Sequence, residues 1–175
     1  MKAPIPLEKA LLWFWRKTWK FRSAFAGGLQ VGELFPDFSL KDAEGRAYGL
    51  SDPTPARHTA LWFTNLCEDC RARAPLLGEL RREAGEALRV LAVSILPPED
   101  PLSKRVGGTL GFPLLLDPED IVGKRLGLAH PPGTCPMHNL FILDRKGRIR
   151  FRHHLSALKE PDLRALRRDF LSSEE

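Results

Sequence analysis

The sequence contains few side-chain amides, few cysteines and no long apolar run. Gln30, Asn65 and Asn139 are its only glutamine and asparagine residues, and a charged, amide-poor composition favours a heat-adapted source. No apolar segment approaches the ~20 residues that a membrane-spanning helix requires. Three cysteines, an odd number, exclude the disulfide framework of a small secreted protein. In a reducing cytosol, a close pair of cysteines is more often catalytic or metal-binding.

Positive charge is concentrated at the N-terminus. The net charge is +5, and residues 1–22 carry all of it, because the remainder has 21 basic and 21 acidic residues. This distribution does not indicate nucleic-acid binding. The apolar piece at 10–15 is shorter than the ~7–15 residues of a secretion-signal core and is followed directly by two basic residues. We therefore expect a cytoplasmic protein.

Residues 5–25 predict an amphipathic helix that precedes the main domain. Apolar side chains recur there at spacings of three and four, basic side chains fall on the opposite side, and Gly27-Gly28 ends the pattern. One interpretation is a helix that packs on the domain or on a second copy in a homodimer. The alternative is an interfacial helix that lies on an anionic membrane surface. We assign residues 1–30 to this segment and residues 31–175 to one domain.

The remaining pattern predicts an α/β sandwich with a mixed sheet. Apolar runs separated by helical patterns are typical of central strands covered on both faces. The predicted elements are a hairpin at 36–50, a strand at 59–66, a helix at 67–84, strands at 88–95 and 112–117, a helix opened by Asp117, a hairpin at 138–154 and a closing helix at 159–171.

The first two cysteines are three residues apart at a predicted strand-to-helix junction. Cys67 begins the helix and Cys70 follows one turn later, close enough to form a disulfide with it. A helix N-terminus stabilises the thiolate, which is the reactive form of cysteine. Pro75 lies further along and would kink the helix. The arrangement favours redox chemistry over a zinc half-site or two inert buried thiols.

Several segments resemble the thioredoxin superfamily, in its branch of thiol:disulfide oxidoreductases and alkyl hydroperoxide reductase/thiol-specific antioxidant proteins. The similarity runs in register over about residues 31–153, and residues 1–30 lie outside it. The segments that carry it are "VGELFPDFSLKDAEGRAYGLSD", "CEDCRARAPLL", "FPLLLDPEDIVGKRLGL" and "CPMHNLFILDRKGRI".

The resemblance implies a thioredoxin-like three-layer sandwich and a thiol:disulfide oxidoreductase that needs no cofactor. Its partners would be a protein or small-molecule disulfide and a thiol reductant. Cys67 would be the attacking thiol, Cys70 the resolving thiol and Pro136 a cis-proline that faces them. Because the loop of that proline abuts the attacking thiol in such folds, Cys135 is expected to contact Cys67.

The chain departs from thioredoxin at positions that bear on the chemistry. Leu66 replaces the tryptophan before the first cysteine, and Leu61 replaces the buried acid that assists proton transfer from the resolving thiol. Glu68 and Asp69 lie between the cysteines and repel a thiolate. They favour a Cys67 less acidic than in strongly oxidising relatives, and hence a reducing protein.

A peroxiredoxin-like thiol peroxidase is the first alternative. Such enzymes place a threonine three residues before the peroxidatic cysteine and a proline seven before it, with an arginine later in the chain. Thr64 matches the threonine, but Ala60 stands at the proline position and His138 at the arginine position. Since one of these three supporting positions matches, with Cys67 as the peroxidatic cysteine, this alternative ranks second.

Metal binding is the second alternative. Cys67, Cys70, Cys135 and His138 form a C-x2-C…C-x2-H pattern, which offers a Cys₃His set of ligands. Three roles stay open for Cys135: a small buried side chain beside Pro136, a partner in a second disulfide with Cys67, or a metal ligand. The sequence ranks them in that order.

Overall fold

The structure is a computed structural model that describes residues 28–128, 130 and 135–171. The helix predicted for residues 5–25 lies outside the described residues, so its packing, dimer and membrane interpretations stay predictions. None of the helices in the described part of the chain has the length and apolar character needed to span a bilayer.

The described residues form one mixed sheet of seven strands. The strands are β1 Ser39–Asp42, β2 Ala47–Gly49, β3 His58–Thr64, β4 Leu88–Ser94, β5 Leu114–Leu116, β6 Leu140–Asp144 and β7 Ile149–His153. Their order across the sheet is β2-β1-β5-β4-β3-β6-β7. β3, β4 and β5 run parallel, while β1 and β6 add to them in the antiparallel direction. Both predicted hairpins, β1–β2 and β6–β7, are confirmed.

Within the described residues three α-helices connect the strands: α1 Glu68–Ala84, α2 Pro101–Gly107 and α3 Ile121–Arg125. A fourth, α4 Glu160–Leu166, follows β7 and continues as a π-helical turn over Arg167–Leu171. α1 matches the helix predicted after the cysteine pair and contains Pro75. α3 begins four residues later than Asp117. The carboxylate of Asp117 accepts hydrogen bonds from the backbone N–H groups of Ile121 and Val122, so it caps the helix from a turn outside it.

Apolar side chains cover both faces of the sheet, as a three-layer sandwich requires. Because successive strand residues point to opposite faces, Ala60 and Trp62 of β3 join a core with α1 and α4. Leu61 and Phe63 join a second core with the segment before β1 and with α3. The cores contain 21 and 13 buried residues, and Cys70 and Cys135 lie in the larger one. The predicted fold class is confirmed.

Loss of the Asp117 carboxylate should destabilise the domain. In Asp117→Ala, two backbone N–H groups at the start of α3 lose their acceptor, and the loss of such a cap costs about 1–2 kcal/mol. Urea denaturation at neutral pH measures this as a lower midpoint. Asp117→Asn keeps one acceptor oxygen and should lose less. Equal stability of all three proteins would show that α3 does not depend on this cap.

Candidate active site: a cluster of three thiols

Two side-chain caps shape the junction between β3 and α1. The hydroxyl of Thr64 accepts a hydrogen bond from Leu66 N at 2.8 Å, and the amide oxygen of Asn65 accepts one from Cys67 N at 3.1 Å. Between them Leu66 is buried with a φ of 56°, a left-handed conformation that a non-glycine residue rarely adopts. The turn therefore fixes Cys67 as the N-terminal capping residue of α1.

The predicted redox pair occupies the first turn of α1. Cys67 is half-buried and Cys70 is fully buried. Both are free thiols in this structure. The exposed side chains of Glu68 and Asp69 stand between them in sequence. The Cys67 thiol is thus accessible from solvent, whereas the Cys70 thiol is buried one helical turn later. This is the arrangement expected of an attacking and a resolving cysteine.

Cys135 completes a cluster of three thiols. Its sulfur lies 3.4 Å from Cys67 Sγ, 3.3 Å from Thr64 Oγ1 and 3.1 Å from Asn65 Oδ1. The three cysteine sulfurs lie within 4.8 Å of one another. The predicted contact between Cys135 and Cys67 is confirmed. The hydroxyl of Thr64, assigned to the peroxidase alternative, is directed at Cys135 and at the turn.

Two side chains outside the cysteine cluster, Asn139 and His154, contact the sulfur of Cys70. Asn139 Nδ2 donates to Cys70 Sγ at 3.4 Å, and Asn139 Oδ1 accepts from Leu155 N at 2.9 Å. His154 Nε2 lies 4.0 Å from Cys70 Sγ, while its Nδ1 lies 2.9 Å from Ser156 Oγ. Neither Asn139 nor His154 was predicted as a site residue. The one signal for Asn139 was the scarcity of amides, because both asparagines of the chain hydrogen-bond to the thiol cluster.

The cluster favours a single negative charge, on Cys67. Hydrogen bonds from the thiols of Cys135 and Cys70 lower the pKa of Cys67. Hydrogen bonds with Cys135 and Cys67, together with burial, raise the pKa of Cys70. The hydrogen bond with Cys67, together with burial, raises the pKa of Cys135 against a smaller lowering by the contact with Cys70. Both thiols act as donors to the Cys67 thiolate. Burial lowers the pKa of His154 to about 4, so its imidazole is neutral at pH 7. The accessible cysteine is therefore also the nucleophilic one.

The acidity of Cys67 should depend on its contact with Cys135. We expect the rate of Cys67 alkylation by iodoacetamide to rise with pH through a midpoint below about 8.5, the ordinary cysteine value. Cys135→Ala removes a hydrogen-bond donor to the thiolate and should move the midpoint upward. Cys135→Ser keeps a donor and should stay closer to wild type. An ordinary midpoint in all three proteins would contradict the assigned charge state.

Two sequence expectations at this site differ from the structure. The described residues contain no cis peptide bond, so the bond between Cys135 and Pro136 is trans and the predicted cis-proline is wrong. Trans is the isomer that X-Pro bonds generally prefer, by about 0.5–1 kcal/mol. The contact between Cys135 and Cys67 is present with this trans peptide bond. Among the described residues, the group of mutually close ligand atoms consists of the three sulfurs and does not extend to His138.

Comparison with known proteins identifies the family of this chain. The sequence model of the AhpC/TSA family matches residues 31–152. The chain belongs to the AhpC/TSA family. Among its relatives, the thioredoxin-like protein YneN of Bacillus subtilis is 30% identical over 131 residues, which are 72% of each chain. The thiol-disulfide oxidoreductase ResA of Geobacillus thermodenitrificans is 28% identical over 124 residues, or 69% of this chain and 67% of that protein.

Two solved structures share the fold of this chain. The thioredoxin domain of a thiol-disulfide oxidoreductase from Bacteroides vulgatus superposes with a TM-score of 0.64 at 18% identity, covering 82% of this chain and 99% of that one. Peroxidoxin BcpB of Mycobacterium tuberculosis gives 0.62 at 20% identity, covering 78% and 92%. At these identities the likeness confirms the thioredoxin-like fold.

Proposed function

We propose that this AhpC/TSA protein is a thiol:disulfide oxidoreductase that cycles Cys67 and Cys70 between dithiol and disulfide. One observation carries the proposal: a half-buried Cys67 with a lowered pKa caps α1, directly above a buried Cys70 with a raised pKa. Such a pair attacks with one sulfur and resolves with the other. The named relative that is a thiol-disulfide oxidoreductase supports the same assignment.

The cycle begins when the Cys67 thiolate attacks one sulfur of a substrate disulfide. A Cys67–substrate disulfide forms, and the other substrate sulfur leaves as a thiolate that takes up a proton. Cys70 then loses its proton and attacks Cys67 Sγ, which forms the Cys67–Cys70 disulfide and releases the second substrate thiol. A thiol reductant reverses the exchange and restores both cysteines. Two electrons pass from the reductant to the substrate in each cycle.

The resolving step needs an acceptor for the Cys70 proton, and Leu61 cannot provide it. His154 Nε2 is the neutral ring nitrogen 4.0 Å from Cys70 Sγ. When the imidazole carries its proton on Nδ1, that N–H donates to Ser156 Oγ. The unprotonated Nε2 can then accept the proton of the Cys70 thiol. The amide N–H of Asn139 then stabilises the Cys70 thiolate. An imidazole whose pKa is about 4 does not keep the proton at pH 7, so the proton passes on to the substrate thiolate that leaves in the same step. We assign His154 as the relay for this proton and Asn139 as the donor to Cys70, in place of the acid of thioredoxin.

The proposal includes the reducing direction and the cytoplasmic location expected from the sequence. Two influences on direction oppose each other. Hydrogen bonds that lower the pKa of Cys67 stabilise the dithiol and make the protein more oxidising. Glu68 and Asp69 repel the same thiolate and stabilise the disulfide. We expect the net result to lie on the reducing side.

Peroxidase activity is the second candidate. Thr64 at the expected spacing and the family match favour it, while the Thr64 hydroxyl is used to accept from Leu66 N. The test compares reduction of a protein disulfide such as insulin, driven by dithiothreitol, with consumption of hydrogen peroxide and an alkyl hydroperoxide. We expect rapid disulfide reduction and slow peroxide consumption. Rapid peroxide turnover that survives Cys70→Ser would reverse the ranking.

A further inference from the structure

We infer that the three thiols of the reduced protein form a binding site for a single Cu(I) ion. The thiol-exchange cycle uses Cys67 and Cys70 and leaves Cys135 without a chemical role. Yet the Cys135 sulfur is buried, lies 3.4 Å from Cys67 Sγ, and belongs to a set of three sulfurs within 4.8 Å of one another. Disulfide exchange requires two thiols, and this site brings three together.

The separation of the sulfurs fits a three-coordinate ion. Metal–thiolate bonds of about 2.3 Å around a trigonal centre place the sulfurs about 4 Å from one another. The Cys67 and Cys135 sulfurs are 3.4 Å apart, and no two of the three sulfurs are more than 4.8 Å apart, so each separation is compatible with this value after a small adjustment. An ion at the centre of the triangle therefore needs sulfur movements of less than about 1 Å.

The donor set favours Cu(I) over zinc. Structural zinc is almost always tetrahedral and takes four ligands. The mutually close ligand atoms among the described residues are three sulfurs, without a ring nitrogen from His138 or His154. A site of thiolates alone suits a soft ion such as Cu(I), which accepts three-fold coordination. The sequence pattern offered a Cys₃His set as its second alternative; the geometry assigns a Cys₃ set.

Access and charge are also consistent with a bound cation. Cys67 is half-buried and gives the ion a path from solvent, while Cys70 and Cys135 are buried. The exposed carboxylates of Glu68 and Asp69 attract a cation to this end of α1. Outer hydrogen bonds hold the ligands in place: Asn139 Nδ2 donates to Cys70 Sγ, as metal ligands commonly require.

Binding changes protonation without changing oxidation state. All three cysteines bind as thiolates, so those that are protonated release their protons as Cu(I) binds. The Cys67–Cys70 disulfide removes two of the three ligands. Cu(I) binding and disulfide formation are therefore mutually exclusive, and the oxidised protein should not bind the ion.

The test titrates reduced full-length protein with Cu(I) under anaerobic conditions against a chromophoric Cu(I) chelator. We expect one ion per chain, a near-ultraviolet thiolate-to-copper band, and protection of all three thiols from alkylation. Cys135→Ala should weaken binding at least about 100-fold, more than the loss of an outer hydrogen bond. Cys135→Ser, which preserves size and hydrogen bonding, should weaken it similarly, and circular dichroism verifies that both variants are folded.

Other results overturn the inference. These are absence of binding by the reduced wild type, wild-type affinity in a folded Cys135 variant, binding by the oxidised protein, or zinc retained more tightly than Cu(I) in a four-coordinate site. The insulin-reduction assay on the same preparation separates the two proposals. Disulfide reduction without Cu(I) binding would remove this inference alone, and Cu(I) binding without disulfide reduction would remove the proposed enzymatic function alone.

Discussion

Replacement of Cys67 by serine is expected to lower the rate of disulfide reduction at least about 10³-fold, as loss of a catalytic nucleophile does. The attacking group is a thiolate whose pKa the thiols of Cys135 and Cys70 lower, and a serine hydroxyl stays protonated and unreactive under the same conditions. The rate is measured as reduction of insulin by dithiothreitol at pH 7. Because Cys67 is half-buried at a helix cap, serine fits the site and the domain should remain folded.

Cys70→Ser is the matched control for this experiment. It keeps the attacking thiolate and removes the resolving thiol, so the first exchange proceeds and the Cys67–substrate disulfide persists. Mass spectrometry should detect this adduct in Cys70→Ser and not in Cys67→Ser. Retention of activity by Cys67→Ser, or an adduct at Cys135 in place of Cys67, would assign the attack to another sulfur.

Loss of the Asn139 side chain should both destabilise the domain and slow the resolving step. Asn139 is fully buried, donates to Cys70 Sγ and accepts from Leu155 N. In Asn139→Ala the N–H of Leu155 is left without its acceptor in the protein interior, which costs about 1–3 kcal/mol, and the cavity adds to this loss. Chemical denaturation of the reduced protein measures the change in the free energy of unfolding.

Asn139→Asp separates the two roles of this side chain. The carboxyl oxygen can still accept from Leu155 N, but the donor to Cys70 is lost and a negative charge opposes the Cys70 thiolate. We expect Asn139→Asp to retain more stability than Asn139→Ala and yet to accumulate the mixed disulfide during turnover. Wild-type resolution in both variants would show that Asn139 only supports the fold.

The order of apolar runs, helices and hairpins was enough to predict the fold. Buried-strand patterns predict β3, β4 and β6 within a few residues, because the burial of these strands is nearly continuous. The tight turn before Ile149 predicts β7 as the second strand of a hairpin. The sequence predicts that α3 starts at Asp117, but the helix begins four residues later because Asp117 caps it from the preceding turn. The spacing of Cys67 and Cys70, together with a helix that follows a buried strand, likewise identified the redox pair.

The rest of the site depends on contacts that sequence spacing does not encode. Asn65 reaches Cys135 across 70 positions and Asn139 reaches Cys70 across 69, so a reading of local patterns missed both. His154 directly follows β7, in a position typical of a surface histidine, but its side chain is buried. The scarcity of amides was a usable signal, since a chain that has only two asparagines places both at its thiols.

A redox titration of the full-length protein tests the central claim most directly. The protein is equilibrated in dithiothreitol or glutathione buffers, and its free thiols are alkylated and located by mass spectrometry. We predict that Cys67 and Cys70 become protected together in one two-electron transition, at a potential more negative than about −180 mV, while Cys135 stays free. Independent loss of the two thiols, or a disulfide that joins Cys135 in their place, would contradict the assigned redox pair.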